Sequence, residues 1–173
     1  MIRTTHKETL ALIFVPLAII SLAIQPLLTG HMPWQGDGLL HYVRLAVLED
    51  SVRAGDFYPR WSPDLAYGYG FPLFNFYAPF SYYAGLPFRF LGLSLKTSTN
   101  ASYILALWVL AAGAYLWGKD AWHRRAGIIA AILLYYNPYI LNNLLHRSAL
   151  AELWGLAWLM MTLWGIQRLF DNR

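Results

Sequence analysis

Apolar and polar positions divide this chain into long apolar runs separated by one extended mixed stretch. Apolar runs cover about residues 9–29, 100–117, 126–145 and 150–169. Each approaches the roughly 20 residues that cross a bilayer as a helix. The first run follows Arg3, His6 and Lys7, and its end, Pro26-Leu27-Leu28-Thr29-Gly30, lacks a small-x-small cleavage pattern. It therefore reads as an uncleaved first span rather than a signal peptide. Pro16 lies within it, which a lipid-embedded helix tolerates when neighbours satisfy the freed carbonyl.

The mixed stretch begins with an amphipathic helix over residues 37–54. Leu39, Leu40, Val43, Val47 and Leu48 recur at helical spacing, while Arg44, Glu49, Asp50 and Arg53 take other angles. Asp37 stands at the N-cap position and Gly55 at the C-terminal glycine position. The helix is too polar to cross a bilayer and is expected to lie along the outer surface. Residues 56–75 are irregular, because Pro59, Pro63, Gly68, Gly70 and Pro72 interrupt regular elements. Phe57, Tyr58, Trp61, Tyr67, Tyr69 and Phe71 argue for a packed loop rather than a disordered linker. Residues 73–93 are apolar enough for a span, yet Pro79, Gly85, Pro87 and Arg89 break them.

Charge placement arbitrates. If 73–93 crosses, Lys119, Arg124 and Arg125 fall outside; if it is interfacial or re-entrant, they are cytoplasmic, together with Arg168 and Arg173. The second arrangement satisfies the positive-inside rule for every later short loop except at Arg147. The expected fold is thus a single all-α integral membrane module over residues 1–173. It has about four transmembrane helices and two juxtamembrane amphipathic helices on the outer face. It is multi-pass in the cell membrane, with a cytoplasmic N-terminus and an extracytoplasmic loop over residues 30–98. This topology also brings residues 142–152 to the same side as Asp37.

Composition supports the membrane class. The chain is 58% hydrophobic, 17% aromatic and only 13% charged, against about 25% charged in globular domains. Its mean hydropathy is positive, and eight Trp and twelve Tyr suit interfacial belts. The net charge of +4 comes from scattered residues with no basic run longer than Arg124-Arg125, so nucleic acid is not an expected partner. The lack of cysteine removes disulfides, thiolate metal sites and cysteine nucleophiles. No phosphate-binding glycine loop, nucleophile elbow, zinc His pair or dinucleotide fingerprint is present.

The candidate chemistry lies at two places. Asp37 and His41 are four residues apart and share a helix face. Asp37 suits two roles, a helix cap or a general base whose pKa rises with partial desolvation. His41 would orient it or bind phosphate when protonated. Arg147 and Glu152 sit at the junction of two apolar runs, where ionisable groups either pair with one another or face a polar cavity. In the cavity reading Arg147 binds phosphate and Glu152 is a second acid opposite Asp37, with Asn142, Asn143 and His146 at the same mouth. Arg44, Arg53 and Arg60 suit phosphate binding through the guanidinium fork or pairing with Glu49, Asp50, Asp56 and Asp64. Arg60 stands out for its aromatic-rich turn. Loop aromatics suit sugar stacking or interface anchoring.

Taken together, these residues carry a family likeness. A first span, Gly36-Asp37-Gly38-Leu39-Leu40-His41, and then Tyr58-Pro59-Arg60-Trp61 resemble the N-terminal half of GT-C membrane glycosyltransferases. The likeness is greatest to a bacterial membrane family labelled as related to 6-pyruvoyl-tetrahydropterin synthase. The run Gly68-Tyr69-Gly70-Phe71-Pro72-Leu73-Phe74-Asn75-Phe76-Tyr77-Ala78-Pro79 looks like its central motif. Asn137-Pro138-Tyr139 with Arg147-Ser148-Ala149-Leu150-Ala151-Glu152 looks like its second. The resemblance implies a GT-C-like N-terminal module, a polyprenyl-phosphate sugar as donor and an extracytoplasmic acceptor. It implies Asp37 as the base and Glu152 as a further acid, with His41, Arg60, Arg147, Tyr69 and Tyr77 as substrate contacts. Gly38 follows Asp37 where many such enzymes carry a second acid, so a metal-binding diacid is not supported and no cofactor is assigned. Such enzymes usually have more spans, so the implied partners are the lipid bilayer, the lipid-linked sugar and the remaining transmembrane helices of a longer chain or partner. The topology predicts that a reporter fused after Gly118 is cytoplasmic; a periplasmic signal there would sink it.

Overall fold

The computed structural model describes residues 14–15, 18–19, 21, 24–29 and 36–171. All their regular elements are helices. They are α1 (Gln25–Leu28), α2 (Gly38–Arg53), α3 (Leu73–Phe76), α4 (Phe80–Tyr83), α5 (Leu86–Phe90), α6 (Leu95–Ala121), α7 (Arg124–Tyr135), α8 (Pro138–Leu145) and α9 (Leu150–Asp171). The 27-residue α6 is the axis, with α7 and α9 packed along it and α2 across its N-terminal part. Local chemistry sets its start: Ser94 Oγ accepts from the Thr97 N–H at 3.1 Å. The next two helices begin the same way, with His123 Nδ1 accepting from Ala126 N–H and Asn137 Oδ1 from Tyr139 N–H.

Glycines set how closely α6 and α7 approach. A Cβ on Gly127 would stand 2.5 Å from the Tyr115 carbonyl oxygen, and one on Gly118 would stand 3.0 Å from Gly127 Cα. Among the described residues α6 is the one helix long and apolar enough to cross a membrane. About two thirds (67%) of its apolar window is buried against its neighbours. The expected span at 126–145 is broken: Pro138 starts a new helix, and α7 and α8 meet at 48°, giving a second span only if the bent pair counts as one. α9 has the length, at 22 residues, but Glu152, Gln167, Arg168 and its tryptophans lower its hydropathy. The structure therefore supports one or two crossing helices by length and composition where the sequence predicts about four. The predicted first span at 9–29 lies partly outside the described residues; within them Ile19, Ile24 and Leu27 join the core.

Residues 73–93 form three helices of four or five residues, α3 to α5, none long enough to cross. Where a second amphipathic helix was expected, the chain makes short turns set by Pro72, Pro79 and Gly85-Leu86-Pro87. The first amphipathic helix forms as α2 and ends at the predicted glycine. Gly55 has φ of 91°, Gly55 N–H reaches the Val52 carbonyl and Asp56 N–H the Ser51 carbonyl, a Schellman closure. Its packed face differs from the expected one. His41, Leu45, Leu48 and Glu49 are buried, whereas Leu39, Leu40 and Val43 are exposed. Burying the two polar residues is possible because each has partners inside. Glu49 receives Arg53 Nη2 at 2.8 Å and Arg89 Nε at 2.5 Å, which ties α2 to α5. Burial alone would raise its pKa, but the hydrogen bonds from Arg89 and Arg53 hold it below the usual carboxylate value.

The loop before α3 closes on itself. Ser62 and Phe71 exchange backbone hydrogen bonds of 2.9 and 3.0 Å, and Gly70 is required because a Cβ there would lie 2.4 Å from Trp61 Nε1.

Gly127→Val is expected to force α7 away from α6 and to destabilise the protein by about 1–3 kcal/mol. Gly155→Ala on α9, where a Cβ meets nothing within 4 Å, should be neutral or slightly stabilising. Thermal unfolding in detergent compares the two; equal effects would contradict the close α6–α7 contact.

Candidate functional site

The turn between α8 and α9 is the anchor of the site. α8 ends as the His146 and Arg147 N–H groups both reach the Asn142 carbonyl, and Ala149 N–H returns to the Asn143 carbonyl. This folds Ser148 into the left-handed region at φ 54° and turns two consecutive carbonyls towards α2. The Arg147 carbonyl accepts from Asp37 N–H at 3.2 Å. The Ser148 carbonyl accepts from His41 Nε2 at 2.5 Å and from Tyr103 Oη at 2.8 Å. Gly36 makes the approach possible: it has φ of 61°, and a Cβ would sit 2.3 Å from the Arg147 carbonyl oxygen.

His41 is fully buried, and its tautomer follows from its partners. A carbonyl only accepts, so Nε2 carries the hydrogen and Nδ1 accepts from Tyr82 Oη at 2.9 Å. Burial is the main cause that pushes the His41 pKa down. The Ser148 carbonyl opposes it, the Arg44 charge adds to it and the Asp37 charge opposes it. His41 is thus a neutral tether with both nitrogens engaged. The phosphate contact expected of it is not available in this arrangement.

Asp37 precedes α2 at the cap position, yet its side chain makes no cap hydrogen bond. Instead Tyr77 Oη donates to Asp37 Oδ2 at 3.1 Å, and Arg44 Nη1 stands 3.6 Å from the same oxygen. The Arg44 guanidinium lies 3.6 Å over the Tyr77 ring and donates to Tyr82 Oη at 3.3 Å. Burial works against its charge, but Tyr82, Tyr77 and Asp37 together raise its pKa. Burial also raises the Tyr77 pKa, with Arg44 opposing, so Tyr77 stays protonated as the donor to Asp37.

Asp37 and Tyr77 open onto a cleft of about 510 Å³ that Arg147 and Glu152 line from the other side. Arg147 Nη1 lies between Asn143 Oδ1 at 2.7 Å and Glu152 Oε2 at 3.1 Å, and Tyr139 Oη donates to Glu152 Oε1. The junction therefore contains the expected ion pair and also faces a cavity. The cleft offers two carboxylates, each accepting from a tyrosine hydroxyl, a half-exposed guanidinium, and Phe76 and Ala78. That set suits a ligand with both a hydroxyl and an anionic group.

Four of the predicted residues, Asp37, Tyr77, Arg147 and Glu152, meet in this cleft, and His41 supports it from beneath. Arg60 and Tyr69 do not reach it: Arg60 stacks 6.0 Å from the Tyr58 ring, and Tyr69 is exposed on the closed loop. Sequence reading grouped Arg44 with the arginines suited to phosphate or to other acids and named Tyr139 only within a motif; it did not pair them with Asp37 and Glu152. Arg44 had a signal, because Asp37, His41 and Arg44 are spaced as one helix face; Tyr139 had only its place in the Asn-Pro-Tyr motif. Among the described residues no group of three His, Cys, Asp or Glu side chains is placed to hold a metal ion. Comparisons of the chain with protein-family models, with curated proteins and with solved structures found no match.

The tether predicts a pH response. The unfolded imidazole titrates near 6.5, and the folded ring resists the proton. Stability is therefore fully present above that value and is lost as pH falls through the lower folded pKa. Thermal midpoints measured from about pH 7.5 to about pH 5 should fall in the native protein. His41→Gln should unfold earlier at high pH and show a flatter slope; parallel slopes would contradict the neutral-tether assignment.

Proposed function

We propose that this chain is the N-terminal membrane module of a GT-C-like glycosyltransferase. In this reading the cleft binds a polyprenyl-phosphate sugar, and transfer goes to an acceptor on the extracytoplasmic side. The observation that carries the proposal is the use of Asp37. Its carboxylate is not spent on capping α2; Tyr77 and Arg44 hold it at the mouth of a cleft that also contains Arg147.

The reaction is a substitution at the anomeric carbon. Asp37 removes the proton from an acceptor hydroxyl, and the oxygen attacks the sugar as the bond from the anomeric carbon to the phosphate oxygen breaks. The half-exposed Arg147 guanidinium receives the departing lipid phosphate. Glu152 accepts from Arg147 and Tyr139, so its role is to position that guanidinium, and proton transfer rests on Asp37 alone. The multi-pass topology, with the N-terminus in the cytoplasm and loop 30–98 outside, belongs to the same proposal. It places the cleft where lipid-linked sugars are consumed.

A second reading is a non-catalytic membrane protein that binds lipid or carbohydrate, or scaffolds a partner, with the same cleft. It is favoured by the engagement of Glu152, which leaves one carboxylate for proton transfer.

Asp37→Asn separates the two. Expressed in place of the native gene, it should lower glycolipid or surface-glycan product by at least about 100-fold while binding of polyprenyl phosphate to the purified protein persists. Unchanged product would sink the catalytic reading and leave the binding one.

A further inference from the structure

The Asp37 cleft continues onto an apolar surface. Ala151 and Glu152, at the start of α9, line the cleft, and so does Ala78, two residues before Phe80 of α4. With 3.6 residues per turn, Ala151, Gly155, Trp158, Leu159, Thr162 and Ile166 fall within one band of α9. From Gly155 to Ile166 this band is exposed. It begins one turn beyond the cleft and runs for about 16 Å, at 1.5 Å per residue.

Its chemistry is uniform. No charged residue lies between Glu152 and Arg168. The Thr162 hydroxyl donates to the Trp158 carbonyl at 2.8 Å, and the Trp154 indole N–H donates to Ser102 Oγ at 3.0 Å. Phe80 stands edge-on to Trp154 and Trp158, with ring centroids 4.9 and 5.4 Å away, and Trp158 stacks on Trp154. These rings make a fixed aromatic wall along one side of the band. Gly155 is its low point, because a Cβ there would meet nothing within 4 Å. A peptide backbone or a glycan laid on this track would lose water from N–H, carbonyl or hydroxyl groups and find no partners. A hydrocarbon chain loses nothing.

We propose that the band from Gly155 to Ile166 holds the first isoprene units of a lipid whose phosphate is held by Arg147. This placement rests on reading the cleft as a lipid-phosphate site, and it adds where the chain leaves that site. Head and chain are recognised by different chemistry. Arg147 pairs with charge, while the band contributes area, each buried methylene adding about fourfold in affinity. Covering the band with diacyl phospholipid is the competing outcome, and the competitors below separate the two.

The test uses the purified full chain in phosphatidylcholine nanodiscs and farnesyl phosphate with a benzophenone at the far end of its chain. Light should attach this probe to α9 between Gly155 and Ile166, as read by peptide mass spectrometry. Unlabelled undecaprenyl phosphate should compete about tenfold better than undecaprenol, which lacks the phosphate, or phosphatidylglycerol, which lacks the isoprenoid chain. Gly155→Phe places a ring in open space, so the thermal midpoint should hold while labelling falls about fivefold, the loss of one or two methylene contacts. Leu159→Ser, at an exposed position, should lower labelling similarly. Labelling spread over other helices, equal competition by phosphatidylglycerol, or labelling unchanged in both variants overturns the proposal. The reading of the cleft fails separately. Arg147→Gln should weaken labelling by about tenfold; if it does so while the two α9 variants do not, the cleft holds the phosphate and the track is wrong. If labelling follows the track while Asp37→Asn leaves glycan product unchanged, the track stands and the transfer reading fails.

Discussion

The carbonyl groups of Arg147 and Ser148 hold the two halves of the site together. One receives the backbone N–H of Asp37, and the other receives the ring of His41 and the hydroxyl of Tyr103. Left unpaired in a buried place, each carbonyl would cost about 1–3 kcal/mol. Together they make the start of α2 and the α8–α9 turn a single rigid unit. Several other features follow from that join. Gly36 must lack a side chain, Ser148 must take a left-handed conformation, and His41 must stay neutral. Asp37 is then held with its carboxylate against Tyr77 and Arg44 rather than on the N–H groups that open α2.

The electrostatics around this join are arranged in layers. His41 and Tyr82 form an uncharged layer beneath, and Arg44 lies between that layer and Asp37. Arg44 is only 12% exposed, so its charge acts through a medium less screening than water. On the opposite wall Arg147 is drawn to Glu152 and Asn143. Each wall thus pairs one acid with one guanidinium and has a tyrosine hydroxyl donate to the acid, Tyr77 to Asp37 and Tyr139 to Glu152. Charges balanced locally in this way allow a polar cleft to exist beside long apolar helices.

Much of this was legible in sequence, and the reasons for the rest are physical. The helical stop at Gly55 was read from local chemistry, whereas the caps at Ser94 and Asn137 were not, the expected runs being 100–117 and 126–145. Charge asymmetry led only to the expectation of a common side for Asp37 and residues 142–152; the contact of Asp37 with Arg147 was not read. The buried face of α2 was not read either, because hydrophobicity alone favours Leu39, Leu40 and Val43 over His41 and Glu49. The deciding partners, Ser148 and Arg89, are distant in sequence. The break at Pro138 was visible, but whether a proline bends an apolar run or ends it depends on how neighbouring helices pack. Arg60 and Tyr69 were drawn in by their aromatic company, which instead closes the loop between Ser62 and Phe71.

The His41–Ser148 hydrogen bond joins residues 107 positions apart, and this has a consequence for biosynthesis. At about 5–20 residues per second, α2 emerges roughly 5–20 s before the turn that receives it. During that interval the imidazole lacks its acceptor, and Leu45 and Leu48 lack the rest of their core. The N-terminal third of the chain must therefore wait, held by its surroundings rather than by its own contacts. The cleft is one of the last features to form, so a nascent chain carries no assembled site until the α8–α9 turn has been made.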